Sequence, residues 1–157
     1  MENDIQTVEI RSLLTTHTSD IYNLINNSDP KYYQYFTAFE ANQEIISGFL
    51  TKAKRDQYLG FFIHGILVGF FMLRGLDEGF KIPSYGVFIS EKYQSFGLGR
   101  LSVLYALTFC KMNQIEKLML KVHPLNIHSL KIYREYGFVE THIDPSNNNL
   151  VLYKDIQ

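Results

Sequence analysis

Residues 89 to 100 read Ile-Ser-Glu-Lys-Tyr-Gln-Ser-Phe-Gly-Leu-Gly-Arg, and they join a short apolar run, Tyr85 to Ile89, to a long apolar stretch. This pattern predicts a strand, a loop and a helix that begins at the first glycine. Because the glycines at 97 and 99 carry no Cβ, the backbone there can pass close to a ligand. The first amides of a helix are unpaired and lie at the positive end of its dipole, so they suit a phosphate. Taken alone, the segment fits a ligand loop and a plain connection equally well.

A second motif follows the predicted helix. Leu118 to Val122 is typical of a buried strand, and Asn126 is a good N-cap for a helix that Gly137 would end. Asn126, Ser129 and Tyr133 are spaced to lie on one side of that helix. An amide and a phenol are therefore presented together, just past the C-terminal end of a strand.

Together the two motifs resemble those of the GNAT superfamily of acyl-CoA N-acyltransferases. Its first motif, a strand followed by Gln/Arg-x-x-Gly-x-Gly/Ala, is matched by Gln94, Gly97 and Gly99. Its second, an Asn, a helix bearing a Tyr and then Gly-Phe, is matched by Asn126, Tyr133, Gly137 and Phe138. Both motifs occur in the right order and at the right spacing, so the resemblance is specific over residues 85–138.

The resemblance implies an α/β fold with a mixed, mostly antiparallel central sheet of about six to seven strands and helices on both faces. Two central strands of that fold splay apart, and the gap holds the pantetheine arm of the cofactor. The order of strand and helix patterns also indicates an α/β domain. At 157 residues the chain is expected to form a single domain, residues 1–157.

Apolar periodicity and turn residues predict the remaining elements. Within Gly97–Asn113, two apolar stripes predict that the helix packs on both sides, against the sheet and another helix. The other predicted elements are a strand within Ile5–Leu14, a helix from Ser19 or Asp20 to Ile25, a helix within Ala38–Lys54, a hairpin of Tyr58–Ile63 and Ile66–Leu73, a strand Phe80–Ile89 broken near Pro83, and a final hairpin of Gly137–Ile143 and Asn149–Lys154.

The resemblance implies that acetyl-CoA is the acyl-donor substrate, and it gives roles to the matched positions. Backbone groups of Val87, Phe88 and Ile89 would pair with the pantetheine amides, and an amide near Ile89 would polarise the thioester carbonyl. Asn126 would bind the cofactor near the thioester. Gln94 belongs to the phosphate loop, whose backbone amides would hold the pyrophosphate: those of Ser95, Phe96, Gly97, Leu98, Gly99 and Arg100.

Tyr133 is the candidate catalytic residue, because the resemblance implies that it protonates the leaving thiolate. A phenol has an unperturbed pKa of roughly 10 and a thiol one of roughly 8.5, so a positioned tyrosine can donate as charge develops on sulfur. The alternative is an aromatic side chain that fills the core.

The general base and the acceptor site are less defined. Some family members place a Glu on the strand where this chain has Lys121, so that assignment does not carry over. The aromatic segment Lys31–Phe39 lies where the family builds its acceptor wall, although it could equally be a lid that packs on the sheet. Candidates for contact with the acceptor are Tyr33, Phe36, Asp77, Glu78 and His123, with Asp77, Glu78, His123, Glu40 or relayed water as the base.

Composition narrows the class of protein. A net charge of −1 gives no reason to expect binding to nucleic acid or a membrane surface. The single cysteine, Cys110, is expected in the core and suits a reducing cytoplasm. A dinucleotide-binding loop is disfavoured because Ser102 stands at its third glycine, and no cluster of side chains suggests a metal site.

We therefore expect a cytoplasmic N-acetyltransferase that transfers acetyl directly to the primary amine of a small molecule, such as an amino sugar, or of a protein N-terminus. A non-catalytic acyl-CoA sensor or partner module and an acyltransferase for longer acyl chains stay open, as does a homodimer.

Overall fold

The computed structural model describes residues 4–157. In chain order, this part of the protein contains β1 (Val8–Ser12), α1 (Thr18–Asn26), α2 (Pro30–Tyr33), α3 (Gln43–Lys52), β2 (Gln57–Ile63), β3 (Ile66–Arg74), β4 (Ser84–Ile89), α4 (Leu98–Met112), β5 (Lys117–Val122), α5 (Ile127–Glu135), β6 (Val139–Ile143) and β7 (Leu150–Asp155).

The seven strands of the described residues form one sheet in the order β1-β2-β3-β4-β5-β7-β6. Every neighbouring pair is antiparallel except β4 and β5, which run parallel. The mixed, mostly antiparallel sheet implied by the resemblance is therefore confirmed. The single parallel pair lies at the centre of the sheet, where α4 connects its two strands on one face.

Helices cover both faces of the sheet, and successive side chains of a strand point to alternate faces. Phe61 and Phe71 belong to a core shared with α4 and α5, whereas Phe62 and Phe70 belong to a second core shared with α1 and α3. Strands β2 and β3 are buried along nearly their whole length. Their continuous apolar runs are typical of strands covered on both faces.

The turn between β2 and β3 agrees with the prediction. His64 has φ 50° and Gly65 has φ 73°, both in the left-handed region. Two such residues make the type I′ turn that suits the right-handed twist of a hairpin.

The packing predicted for α4 is wrong on one side. Its buried residues lie on one face, which contacts the sheet, whereas Leu101 is 37% exposed and Met112 is 79% exposed. Within residues 4–157, no other helix makes substantial contact with that outer face. Leu101 and Met112 of the second apolar stripe therefore face outward, whereas Tyr105 and Phe109 of the same stripe pack against the core on the sheet.

Strand β4 is shorter than predicted and α2 was not predicted. β4 begins at Ser84, because the amide of Phe80 donates to the carbonyl of Gly75 at 3.0 Å and Pro83 has no N–H to give to a strand partner.

Helix α2 is one turn long. Its first residue is Pro30, and the side chain of Asp29 caps the amide of Lys31.

Candidate active site

Strands β4 and β5 diverge soon after they meet. They pair only at Ser84 with Met119 and at Tyr85 with Leu120. Beyond Tyr85, β4 continues to Ile89 and β5 to Val122 without pairing to each other. A cleft of about 840 Å³ opens between them. The splayed central strands implied by the resemblance are therefore present.

The backbone of β4 offers alternate residues to this gap. The amide of Ser90 donates to Val68 of β3 at 2.9 Å, and Phe88 lies opposite Phe70. Since hydrogen-bonded pairs alternate along an antiparallel ladder, the N–H and C=O groups of Val87 and Ile89 point away from β3, into the gap. Those of Phe88 point toward β3. The prediction that Phe88 pairs with pantetheine is therefore corrected: its backbone faces the neighbouring strand, although the residue borders the cleft.

The glycine turn closes one end of the cleft. A 3-10 turn over Glu91–Phe96 leads to Gly97, whose φ of 84° is left-handed, and α4 begins at the next residue. A residue with a Cβ would pay roughly 1–2 kcal/mol for that conformation. A Cβ added at Gly97 or Gly99 would meet no other atom within 4 Å. Glycine is thus required at position 97 because the backbone there is left-handed, and not because a side chain would clash with other residues.

The predicted phosphate loop lies at the cleft, with two exceptions. Phe96 is 71% exposed and Leu98 is 5% exposed, and neither lines the cleft with its side chain. Their predicted role involves only backbone amides. The guanidinium of Arg100 pairs with Glu135, which lowers the pKa of that carboxyl through its hydrogen bond. The predicted cofactor residues that line the cleft are Val87, Phe88, Ile89, Gln94, Ser95, Gly97, Gly99, Arg100 and Asn126.

Helix α5 contributes a further part of the cleft wall. Asn126 is its N-cap, and its side-chain oxygen accepts from the amide of Ser129 at 3.4 Å. Tyr133 is 7% exposed and lines the cleft. Burial raises the pKa of Tyr133 to about 12, while the nearby hydroxyls of Ser129 and Tyr85 lower it. The phenol is therefore neutral across the physiological pH range and able to donate a hydrogen bond.

The aromatic segment after α1 spans the gap from one strand to the other. Tyr32 donates its hydroxyl proton to the carbonyl of Ile89 on β4, and the ring of Tyr35 packs at a tilt against that of His123, just after β5, with centroids 4.6 Å apart. Tyr32, Tyr35 and the predicted Phe36 line the cleft. The predicted Tyr33 does not line it and packs only against the core shared with α1 and α3.

Two other residues predicted to contact the acceptor have structural roles instead. The carboxylate of Asp77 accepts from the backbone amides of Lys54, Arg55 and Asp56 at 3.0, 2.7 and 3.2 Å, and these bonds lower its pKa. Nδ1 of His123 accepts from the amide of Leu125 at 3.1 Å. Neither side chain lines the cleft. Both side chains are therefore engaged in hydrogen bonds outside the cleft.

Glu78 is the only carboxylate among the described residues that line the cleft. Glu40 is not among those residues. Lys121, which stands where some family members have a Glu, lies 2.9 Å from Asp144 and lowers the pKa of that carboxyl by its hydrogen bond. The positive charge of Lys121 is therefore already balanced by the carboxylate of Asp144.

Sequence reasoning missed Tyr32, Tyr35, Tyr85 and Ser102. Tyr85 and Ser102 are buried, and Tyr85 lines the cleft beside Tyr133. No local signal reveals them, because each depends on a contact between distant parts of the chain. Tyr32 and Tyr35 lie within the predicted aromatic segment, so only their orientation was missing.

Residues 17–138 match the family model described as the acetyltransferase (GNAT) family. The chain belongs to this family. Acetyl-CoA is the acyl donor of GNAT acetyltransferases, and the cleft between β4 and β5 is where the family resemblance puts it. No curated protein matches the chain significantly.

Solved GNAT structures share the fold at low sequence identity. The PaiA N-acetyltransferase of Thermoplasma acidophilum, in complex with coenzyme A, has a TM-score of 0.80 at 18% identity, covering 95% of this chain and 99% of its own. The spermidine N-acetyltransferase of Vibrio cholerae, with CoA and spermine, has a TM-score of 0.77 at 19% identity over 95% of each chain. The ribosomal-protein-S18-alanine N-acetyltransferase of Escherichia coli has a TM-score of 0.74 at 16% identity, covering 96% of this chain and 95% of its own.

Across residues 4–157, none of the helices has the length and apolar character needed to cross a membrane. In the same range, no three His, Cys, Asp or Glu side chains come together in a way that could hold a metal ion.

Proposed function

We propose that this GNAT protein transfers the acetyl group of acetyl-CoA directly to the primary amine of a small molecule or of a protein N-terminus. The observation that carries the proposal is the open gap between β4 and β5 with Tyr133 in its wall. Direct transfer needs no nucleophile from the protein. Cys110, the one cysteine of the chain, is fully buried, and burial raises the pKa of its thiol to about 11.

The cofactor would enter the gap as an added strand. The gap-facing backbone groups of Val87 and Ile89 would pair with the pantetheine amides, and the amides from Ser95 to Arg100 would hold the pyrophosphate. An amide near Ile89 would polarise the thioester carbonyl. Asn126 already caps α5, so its contribution to the cofactor side would come from the remaining hydrogen-bonding capacity of its amide.

Tyr133 would stabilise the departing sulfur. Its pKa of about 12 lies well above the roughly 8.5 of a thiol, so complete proton transfer from the phenol is uphill. A neutral phenol can still donate a strong hydrogen bond to developing thiolate. The proton that the amine loses on attack balances the one that sulfur finally gains.

The charges of the cleft favour a neutral or anionic acceptor over a polyamine. Lys31 and Arg74 border it together with the single carboxylate Glu78, whereas Lys121 is paired with Asp144. A polyamine carries several positive charges and would meet like charge in that region. An amino sugar would instead find aromatic side chains to pack against, among them Tyr35 and Phe36. Glu78 is then the side chain best placed to take a proton from the amine, directly or through water.

The experiment is to measure release of thiol from acetyl-CoA against a panel of amines: nucleotide-linked amino sugars, polyamines, aminoglycosides, amino acids and short peptides. We expect release that depends on an acceptor and a kcat for Tyr133→Phe lower by at least tenfold. Tyr58→Phe is the matched control, because Tyr58 is a buried tyrosine of the other core that does not line the cleft. An unchanged kcat for Tyr133→Phe would remove the phenol from the mechanism.

A non-catalytic acyl-CoA sensor is the second candidate. It is favoured by Lys121 at the position where some relatives have a Glu and by the single carboxylate of the cleft. Binding of acetyl-CoA without release of thiol to any amine of the panel would support it. A preference for longer acyl-CoA donors would support the third reading, an acyltransferase for longer acyl chains.

We also propose that residues 1–157 act as one domain in the cytoplasm. The buried free thiol of Cys110 suits a reducing compartment. A homodimer is an additional hypothesis, which sedimentation of the purified protein would test.

A further inference from the structure

Two buried hydroxyls, those of Tyr85 and Ser102, form a hydrogen-bonded pair beside Tyr133. Oγ of Ser102 donates to the carbonyl of Gly99 at 2.7 Å, and the Tyr85 hydroxyl lies 2.6 Å from the same Oγ. A serine hydroxyl has only one proton. Since Ser102 gives its proton to Gly99, Tyr85 must be the donor to Ser102. In this resting arrangement the pair therefore runs in one direction, from β4 to the first turn of α4.

The pair also contacts the candidate catalytic residue. The rings of Tyr85 and Tyr133 are packed edge to face, with centroids 6.0 Å apart and planes at 83°. Ser102 is fully buried and Tyr85 is 4% exposed, so water does not separate them from Tyr133. The hydroxyl oxygen of Tyr85 still has lone pairs available after it donates to Ser102. Tyr85 thus packs edge to face against the Tyr133 ring, with its hydroxyl near enough to affect the pKa of the Tyr133 phenol.

The position of Tyr85 in the sheet connects it to both ends of the cleft. It is in the last residue pair between β4 and β5, at the point where the gap begins. Through Ser102 it reaches Gly99, part of the turn proposed to hold the pyrophosphate. One chain of contacts thus joins the phosphate end of the cleft to the phenol at its thioester end.

We propose that Tyr85, held by Ser102, is a positioning residue that aims the Tyr133 phenol at the leaving sulfur. This role rests on the proposed function of Tyr133. In the reaction the amine nitrogen forms a bond to the acetyl carbon and the carbon–sulfur bond breaks. Sulfur takes the electron pair and draws the Tyr133 proton toward it, and the proton released by the amine restores the balance. As negative charge grows on the Tyr133 oxygen, the Tyr85 hydroxyl can turn from Ser102 and donate to it.

The pKa directions agree with this arrangement. Burial is the main cause that raises the pKa of Tyr85, and the neighbouring Tyr133 raises it further. The Tyr85 hydroxyl in turn lowers the pKa of Tyr133, whose value burial raises. Tyr85 therefore stays protonated and stabilises the ionised form of its neighbour.

The test is a double-mutant cycle on kcat with Tyr85→Phe and Tyr133→Phe. Tyr85→Phe keeps the ring and removes only the hydroxyl. We expect its kcat to fall about tenfold or more, the effect of one lost hydrogen bond to a charged group, with KM for acetyl-CoA within twofold of wild type. In the Tyr133→Phe background the same change should have no further effect, because Tyr85 acts through the Tyr133 hydroxyl.

A merely structural role of Tyr85 predicts a different pattern. Loss of packing would lower kcat by the same factor whether or not Tyr133 keeps its hydroxyl, and that result would overturn the proposal. Ser102→Ala is a second variant that should lower kcat less than Tyr85→Phe and also lose its effect in the Tyr133→Phe background. Tyr58→Phe is the control for removing a buried hydroxyl elsewhere, and thermal unfolding checks that each variant is folded.

Failure of this inference is distinguishable from failure of the proposed function. If Tyr133→Phe lowers kcat and Tyr85→Phe does not, Tyr85 has no positioning role but the catalytic assignment of Tyr133 stands. If Tyr133→Phe leaves kcat unchanged, the assignment of Tyr133 fails and the role of Tyr85 fails with it.

Discussion

Replacing Gly99 by alanine separates the phosphate role of the glycine turn from its role in folding. Gly99 lies in the first turn of α4 and lines the cleft. A Cβ there would meet no other atom within 4 Å, so the new methyl group occupies open space beside the cleft. Alanine is also the better helix former, so the folded state should lose no stability.

The expected magnitude follows from the hydrogen bonds that a bound pyrophosphate would make. A methyl group in this space would push the phosphate away from at least one amide. A hydrogen bond to a charged group contributes about 1.5–3 kcal/mol. The dissociation constant for CoA should therefore rise about 10- to 150-fold, since about 1.4 kcal/mol corresponds to a factor of ten.

Two other glycines provide controls. Gly97 has a φ of 84°, so Gly97→Ala should lower the free energy of unfolding by about 1–2 kcal/mol as well as weaken binding of CoA. Gly48 lies in the middle of α3, away from the cleft, and a Cβ there also meets nothing within 4 Å. Gly48→Ala should raise stability by up to about 1 kcal/mol and leave the CoA dissociation constant unchanged.

The assay combines calorimetric titration with CoA and urea unfolding of the same preparations. We expect Gly99→Ala alone to lose affinity without losing stability. A folded Gly99→Ala variant that binds CoA as tightly as the wild type would refute the reasoning, because the pyrophosphate would then lie elsewhere.

Three further predictions concern side chains around the cleft. Asp77→Ala should lower the unfolding temperature and leave kcat unchanged, because its carboxylate accepts from the amides of residues 54–56; a large loss of kcat in the folded variant would restore Asp77 as a candidate base. Tyr32→Phe should tighten CoA binding about two- to tenfold, because its hydroxyl occupies the gap-facing carbonyl of Ile89; an unchanged affinity would show that the cofactor does not use this carbonyl. Between pH 10 and 12, Tyr133 loses its proton in the unfolded chain but largely keeps it in the folded protein, so folding becomes less favourable as the pH rises. In urea unfolding, the wild type should therefore lose about 2 kcal/mol more stability over that range than Tyr133→Phe. Equal losses in the two proteins would contradict the raised pKa of Tyr133.

The sequence allowed prediction of the elements that depend on local chemistry. Gly97 and Gly137 both adopt the left-handed conformation that ends or begins a helix, and Asn126 caps α5 as its residue type suggested. Strand β5 contains the expected apolar run Leu118 to Val122 and begins one residue earlier, at Lys117. In each case a single residue or a short run determines the backbone, so a local pattern is enough.

The residues that line the cleft were harder to predict, because this depends on the direction in which each side chain points. Tyr32 and Tyr35 face the cleft and Tyr33 does not, although the segment offers no periodic pattern to separate them. Asp77 and Glu78 are neighbours in one loop, yet only Glu78 borders the cleft. Such differences follow from how α2 and the loop dock on distant elements.

Contacts between distant residues also decide the chemistry around Lys121 and Tyr85. Lys121 pairs with Asp144, and Tyr85 pairs with Ser102, across separations of 23 and 17 residues. The outer stripe of α4 is a related case. Its apolar spacing predicted a second packing partner, but spacing cannot tell whether a partner exists.

The most direct test of the central claim follows a labelled acetyl group from acetyl-CoA during one turnover. The protein, the amine and the CoA are then separated and each is examined by mass spectrometry. Direct transfer predicts the label on the acceptor nitrogen, none bound covalently to the protein, and a much slower transfer with Tyr133→Phe. Label that stays on CoA with every amine of the panel, while acetyl-CoA binds in the cleft, would contradict the claim and favour the sensor.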